Sequence, residues 1–141
     1  MKTKLTVADY PISEKRPDLA TGQRGKRLEE VTLDALLAGE IQMEDLRITK
    51  NALLHQSQIA RAANRPTLAQ NFERAAELVN IPQDFIMQVY ELLRPGRAKS
   101  RKELGEAAER LRSVYGATGM AGFVEEAADV YERRGLFTYR F

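Results

Sequence analysis

The sequence predicts an all-α protein, and three observations carry that expectation. Apolar residues do not alternate with period two over any useful length. Several stretches instead place apolar side chains at i, i+3, i+4 and i+7, the pattern of one helix face. Most of these stretches open on a residue suited to start a helix, namely Thr32, Thr49, Pro66, Pro82 or Ser100. About six short helices packed as an irregular bundle are expected, preceded by an extended N-terminal arm.

The arm is residues 1–30 and the helical domain residues 31–141. Pro11, Pro17, Gly22 and Gly25 interrupt the first segment, its apolar residues are sparse, and Arg24, Lys26 and Arg27 make it basic. Asp9-Tyr10-Pro11 is the expected anchor, because a residue before proline is pushed toward extended geometry and leaves the Tyr ring free to dock.

Thr32 caps a first helix with Leu33, Leu36 and Leu37 on one face and Gly39 as its stop. That helix is barely two turns long, so it must lean on other structure to persist. Thr49 caps the next, from Lys50 to about Ala63, with a stripe of Leu53, Gln56, Ile59, Ala60 and Ala63. Pro66 fits the first turn of a third helix, where its missing N–H costs nothing. Leu68, Ala69, Phe72, Ala75, Ala76 and Val79 form its stripe. Pro82 starts a fourth helix carrying Phe85, Ile86, Val89, Tyr90 and Leu93, which Pro95-Gly96 ends. Ser100 and Glu103 have capping-box spacing for a fifth, with Leu104, Ala107, Ala108 and Leu111 inward. Gly116 and Gly119 break the pattern before a sixth with Phe123, Val124, Ala127, Ala128 and Tyr131. Arg133 and Arg134 suit its negative end, and Gly135 closes it.

A chain of 141 residues is long enough for a real core. There are 22 basic and 20 acidic residues, a formal net charge of +2, so the pI near 9.0 is no signature of a polyphosphate partner. Cysteine is absent, which excludes disulfides, thiolate nucleophiles and Cys-based metal centres. No apolar run is long enough for a signal peptide or a membrane span, which predicts a cytoplasmic protein.

No residue set in the sequence can run a reaction. His55 is the sole histidine, so the paired-histidine spacings of zinc sites are impossible. Leu53 stands where the Asp-x-His-x-x-Gly signature of some cobalamin enzymes needs its Asp. Glu29-Glu30, Glu44-Asp45 and Glu125-Glu126 are sequence neighbours, which on a helix point about 100° apart and share neither proton nor metal. Ser13, Ser57, Ser100 and Ser113 lack a nucleophile elbow. Gly22 to Lys26 is glycine-rich but has neither Walker spacing nor a preceding strand. The basic run Arg94, Arg97, Lys99, Arg101 and Lys102 could meet phosphates or an acidic protein patch; a solvated linker is the better reading. The Ala-rich stripes, the arm and the short first helix favour a chain that completes its burial against a partner.

Ordered blocks along nearly the whole chain match a known family. They are Asp9-Tyr10-Pro11, Gly25-Lys26 with Leu28, Val31-Thr32-Leu33, Leu37-x-Gly39-Glu40-Ile41 and Asp45-Leu46-Arg47-Ile48. Gln56 through Ala60 follows, then Asn71-Phe72-x-Arg74-Ala75-Ala76-Glu77-Leu78, Ile81-Pro82, Leu93-Arg94-Pro95 and Phe123-Val124 through Tyr131. In these the chain resembles the small (gamma) subunit of adenosylcobalamin-dependent propanediol and glycerol dehydratases. It departs from the family at Arg27, where a Pro is usual, at Gly96, in Gly116, Gly119 and Gly122, and in the aromatic tail LFTYRF.

The resemblance implies a cytoplasmic lyase of large, medium and small subunits, two copies of each. Adenosylcobalamin would sit between the large and medium subunits and supply a radical that removes hydrogen from a 1,2-diol or glycerol. Hydroxyl migration and loss of water would then give an aldehyde. The small subunit would hold neither cofactor nor substrate and would stabilise the large subunit. Motif match selects Tyr10, Arg47, Asn71, Phe72 and Arg94 as candidate interface residues. Phe72 is equally a core candidate, in which case Phe72→Ala should cost about 3–5 kcal/mol of stability. Whether the complex is free or enclosed in a bacterial microcompartment stays open, although the arm lacks an amphipathic helix that would target a shell. The alternative is a small helical regulator or DNA-binding module reading bases through Gln70, Asn71 and Arg74, against which Glu73 and Glu77 face the same way.

Overall fold

The computed structural model describes residues 4–138, and within them every regular element is helical. The tail beyond Gly135 continues to Thr138, and its last three residues lie outside the described ones. Eight α-helical segments occur: α1 (Ile12–Lys15), α2 (Leu33–Leu37), α3 (Met43–Leu46), α4 (Lys50–Ala62), α5 (Pro66–Leu78), α6 (Gln83–Leu93), α7 (Arg101–Ser113) and α8 (Thr118–Arg133). Single 3-10 turns occur at Val7–Asp9, Pro17–Leu19 and Leu28–Glu30. The expected six helices correspond to α2 and α4–α8. The chain divides into two compact units, Met1–Val79 and Asn80–Phe141.

Local chemistry sets most boundaries. The Ala35 N–H donates to Thr32 Oγ1 at 3.1 Å and the Ala52 N–H to Thr49 Oγ1 at 3.0 Å, so both expected caps are made. Pro66 occupies the first turn of α5, whereas Pro82 sits one step earlier, as the N-cap of α6. Before α7, Glu103 accepts from the Lys99 and Ser100 N–H groups at 2.5 and 3.4 Å.

Three helices close alike. Gly39, Asn64 and Gly135 have φ of 75°, 58° and 62°. After each, the next N–H reaches back five residues: Glu40 to the Ala35 carbonyl, Arg65 to Ala60 and Leu136 to Tyr131, each at 2.9 Å. This is the Schellman closure, which satisfies carbonyls that the helix end would orphan. Asn is the non-glycine residue that best tolerates that geometry, and it turns the chain from α4 into α5.

In the first unit α4 packs on α5 through small side chains, with Ala69 and Ala76 fully buried beside Ile59 and Ala60. Arg61 Nη2 bonds Glu73 Oε1 at 2.7 Å across the pair, and Ser57 Oγ donates to the same oxygen at 2.8 Å. Among the described residues up to Glu30 no helix is longer than four residues. They attach through Leu5 and Ile12, which cluster with Ile59, and through the Leu5 N–H, which donates to Gln58 Oε1 at 2.9 Å. The anchor is therefore not the expected Tyr10, whose side chain stays largely exposed because the apolar cover falls on its neighbours.

In the second unit α7 and α8 enclose Leu104, Leu111 and Val124, the most completely buried large side chains described. Ala107, Ala108, Ala121 and Ala128 let the backbones approach closely. Phe85 stacks on Tyr115 at 5.5 Å between centroids, with the Arg110 guanidinium 4.3 Å from the Phe85 centroid. Arg112 makes a two-pronged bond to Glu125 at 2.8 and 2.9 Å.

Candidate subunit interface

The segment from Leu28 to Ile48 folds around two inward residues. Ile41, between α2 and α3, is buried and ties the segment to the first unit. Asp45, in α3, has a fully buried side chain. Its Oδ2 accepts from the Gln42 N–H at 2.8 Å, which starts α3, and from Arg24 Nη1 at 3.0 Å. Arg24 rides on a tight turn in which the Gly22 N–H donates to the Lys26 carbonyl at 2.8 Å. Gly22 is required there, since a Cβ would stand 2.8 Å from the Asp45 carbonyl oxygen. Gln23 Nε2 adds a bond to the Ile48 carbonyl at 3.2 Å. The glycine-rich run Gly22 to Gly25 thus serves to hold α3.

Apart from the buried Ile41 and Asp45 and the half-buried Val31 and Ala35, the segment is exposed. Leu33 is 69% exposed, Leu37 77%, Met43 69% and Leu46 62%, and Leu36 and Ile48 are also more than half exposed. The stripe expected on α2 is therefore real as a helix face, but no part of the unit covers it. Six exposed large apolar side chains within sixteen residues of one segment exceed the single scattered positions of an ordinary surface and favour an interaction role. Beside them lies an open groove of about 500 Å³, lined in part by Tyr10, Leu28, Leu46, Arg47, Ile48 and His55.

The five motif-selected residues divide. Tyr10, 58% exposed, and Arg47, also exposed, both line this groove. Asn71 and Phe72 lie on α5 outside it; Asn71 is exposed and accepts from Arg74 Nη2 at 2.5 Å, and Phe72 is half-buried. Arg94 belongs to the second unit, exposed and paired with Glu91 at 3.2 Å. The choice of interface residues passed over Leu36 and Met43, and Leu33 and Leu37 as well although both lie in matched blocks. Their signal was physical: three leucines on a helix too short to stand alone.

The candidates for chemistry are structural. Ser57 is buried and spends its hydroxyl on Glu73. The guanidinium of Arg61 and that Ser57 hydroxyl hold the Glu73 carboxyl below the usual carboxylate range. Among the described residues no three His, Cys, Asp or Glu converge to hold a metal. The basic run is largely answered within the chain: Arg101 binds Glu132 at 2.7 Å and also Asp129, Lys102 pairs with Glu106 at 3.7 Å, and Arg94 pairs with Glu91. On α5, two of the three residues expected to read bases, Asn71 and Arg74, bond each other, and the opposing Glu73 is bound by Arg61. No helix of the described residues is long and apolar enough to cross a membrane.

Comparison with known proteins gives the family. Residues 5–138 match the family described as dehydratase small subunit. The propanediol dehydratase small subunit of Salmonella typhimurium is 41% identical over 128 residues, covering 91% of this chain and 73% of the relative. That of Citrobacter freundii is also 41% identical over 128 residues, covering 91% and 74%. The chain belongs to the dehydratase small-subunit family.

Proposed function

We propose that this chain is the non-catalytic small subunit of an adenosylcobalamin-dependent diol dehydratase, a lyase, and that it stabilises the large catalytic subunit. The observation that carries the proposal is the outward-facing leucine set of α2 and α3 in a chain of this family. A folded unit that leaves such side chains in water gains by burying them against a partner, at about 25 cal/mol per Å² removed from solvent. The relatives are propanediol dehydratase subunits, which favours propane-1,2-diol over glycerol as the substrate of the complex.

When bound, adenosylcobalamin supplies the radical chemistry that removes hydrogen from the diol before water is lost. The residues here do not fit that group. Their single imidazole, His55, is half-buried with Nδ1 enclosed, and among the described residues no cluster of ligating side chains supplements it. As the family resemblance implies, the cofactor is assigned to the large and medium subunits, two copies of each joining two of this chain in the cytoplasm. Residues 1–30 act as an arm on that assembly and 31–141 as its helical body. Tyr10, Arg47, Asn71, Phe72 and Arg94 are retained as contacts at its periphery.

The test is co-expression of this chain, tagged, with the large and medium subunits, followed by an aldehyde assay with adenosylcobalamin and propane-1,2-diol. Co-elution of three subunits and loss of activity or of large-subunit stability on omitting this chain are expected. Full activity and unchanged stability without it would overturn the proposal.

A further inference from the structure

We infer that the docking centre is an acid-rimmed apolar patch on α2 and α3, and that its occupant is a basic-rimmed apolar face of the large subunit. The inference rests on the accessory-subunit reading above and adds the location and chemistry of the contact. Its first support is the exposure of Leu33, Leu37, Met43 and Leu46, none of which is buried in the core of their unit. The second is charge. From Leu28 to Leu46 the sequence holds six acidic residues and no basic one, in a chain whose formal net charge is +2.

Three of those acids are already used. Glu29 pairs with Arg27 at 2.5 Å, Glu30 accepts from the Arg27 N–H at 2.7 Å, and Asp45 is held by Arg24. The other three, Asp34, Glu40 and Glu44, are exposed, and among the described residues no ion pair engages them. They border the leucines on the same two helices and on the turn between them. An apolar centre with an unpaired charged rim is the ordinary anatomy of a protein interface, with affinity at the centre and orientation set by the rim. Uncompensated carboxylates repel nucleic acid and anionic lipid, which leaves a protein face carrying Lys or Arg as the matching surface.

The experiment uses the three-subunit complex. Leu33→Glu/Leu37→Glu is expected to weaken association with the large subunit by at least ~30-fold, the factor a hot-spot pair carries. Glu40→Lys/Glu44→Lys should slow association and reverse its salt dependence, with helical content unchanged. Met87→Glu, at an exposed position of the second unit, should co-elute normally. If the unaltered chain fails to co-elute with the large and medium subunits, the accessory-subunit reading itself fails. If it co-elutes and the leucine and charge variants do so equally well, the patch is wrong. Selective loss of the medium subunit would overturn the choice of occupant. So would a dimer of the isolated chain that the leucine variant splits. Should the leucine variant lose its helical signal, the charge variant decides alone: an unchanged association rate overturns the inference.

Discussion

Between Arg101 and Arg133 the chain closes two helices over Leu104, Leu111 and Val124, whereas between Leu28 and Ile48 it buries Ile41 and leaves seven large apolar side chains in solvent. Both segments are helical and both contain leucines at helical spacing. The difference is length and company. α7 and α8 run 13 and 16 residues and face each other with alanines that allow close contact, so each supplies the cover that the other needs. α2 and α3 run 5 and 4 residues and are held by a turn, a buried carboxylate and one isoleucine. The comparison teaches that a hydrophobic stripe predicts a helix face without saying what covers it. In the second unit the cover is internal, whereas the exposed stripe of α2 in the first has no such cover among the described residues.

The largest expected effect breaks the comparison if it fails. Leu111→Ala removes a fully buried side chain and should cost about 2–5 kcal/mol in denaturant unfolding. Leu37→Ala should stay within about 0.5 kcal/mol in the same measurement. Equal losses would mean that α2 is packed within its own unit.

A second pair of substitutions tests how the outward segment is held. Gly22→Ala drives a Cβ to 2.8 Å from the Asp45 carbonyl oxygen, an overpacking expected to cost about 1–3 kcal/mol. Arg24→Ala leaves the buried Asp45 carboxylate without its cation, and a loss of about 1–3 kcal/mol is expected. Gly105→Ala in α7 meets nothing within 4 Å and should instead stabilise by about 0.5–1 kcal/mol, because glycine in a helix interior loses more backbone freedom than alanine. Opposite signs for two Gly→Ala changes, read from unfolding midpoints, would sharpen the contrast between a latched segment and a regular helix.

What the sequence disclosed follows the same line. The starts at Thr32, Thr49 and Pro66 and the closures at Gly39 and Gly135 were legible because capping is decided within about four residues. α1 and α3 were not, since four-residue helices have no period to read. α3 exists through Arg24 and Gly22, more than twenty residues upstream. Asn64 was missed because asparagine is a less frequent stop than glycine. Motif matching put Tyr10 and Arg47 beside the exposed patch but could not pick out its centre. Leu33 and Leu37 look in sequence like any core leucines, and only the absence of a covering element separates them.

The smallest effect concerns acid. In the first unit the bonds from Arg61 and Ser57 hold the Glu73 carboxyl below its ordinary value of 4.5, and in the second the bond from Arg112 does the same for Glu125. A carboxyl that ionises more readily folded than unfolded contributes stability that is complete above the unfolded-state value. That contribution disappears as pH falls through the folded-state value. Both units therefore weaken with the same sign below 4.5, and acid alone does not tell them apart. Glu73→Gln does. It should flatten the acid dependence reported by α4 and α5 while leaving that of α7 and α8 intact, as followed by residue-resolved NMR during acid titration. Because Glu73 is partly exposed, solvent screens the pair, and the loss at neutral pH should stay below about 1 kcal/mol. An acid dependence at α4 and α5 as steep as that of the unaltered chain would locate the titrating group elsewhere and reduce the Arg61–Glu73 bridge to surface decoration.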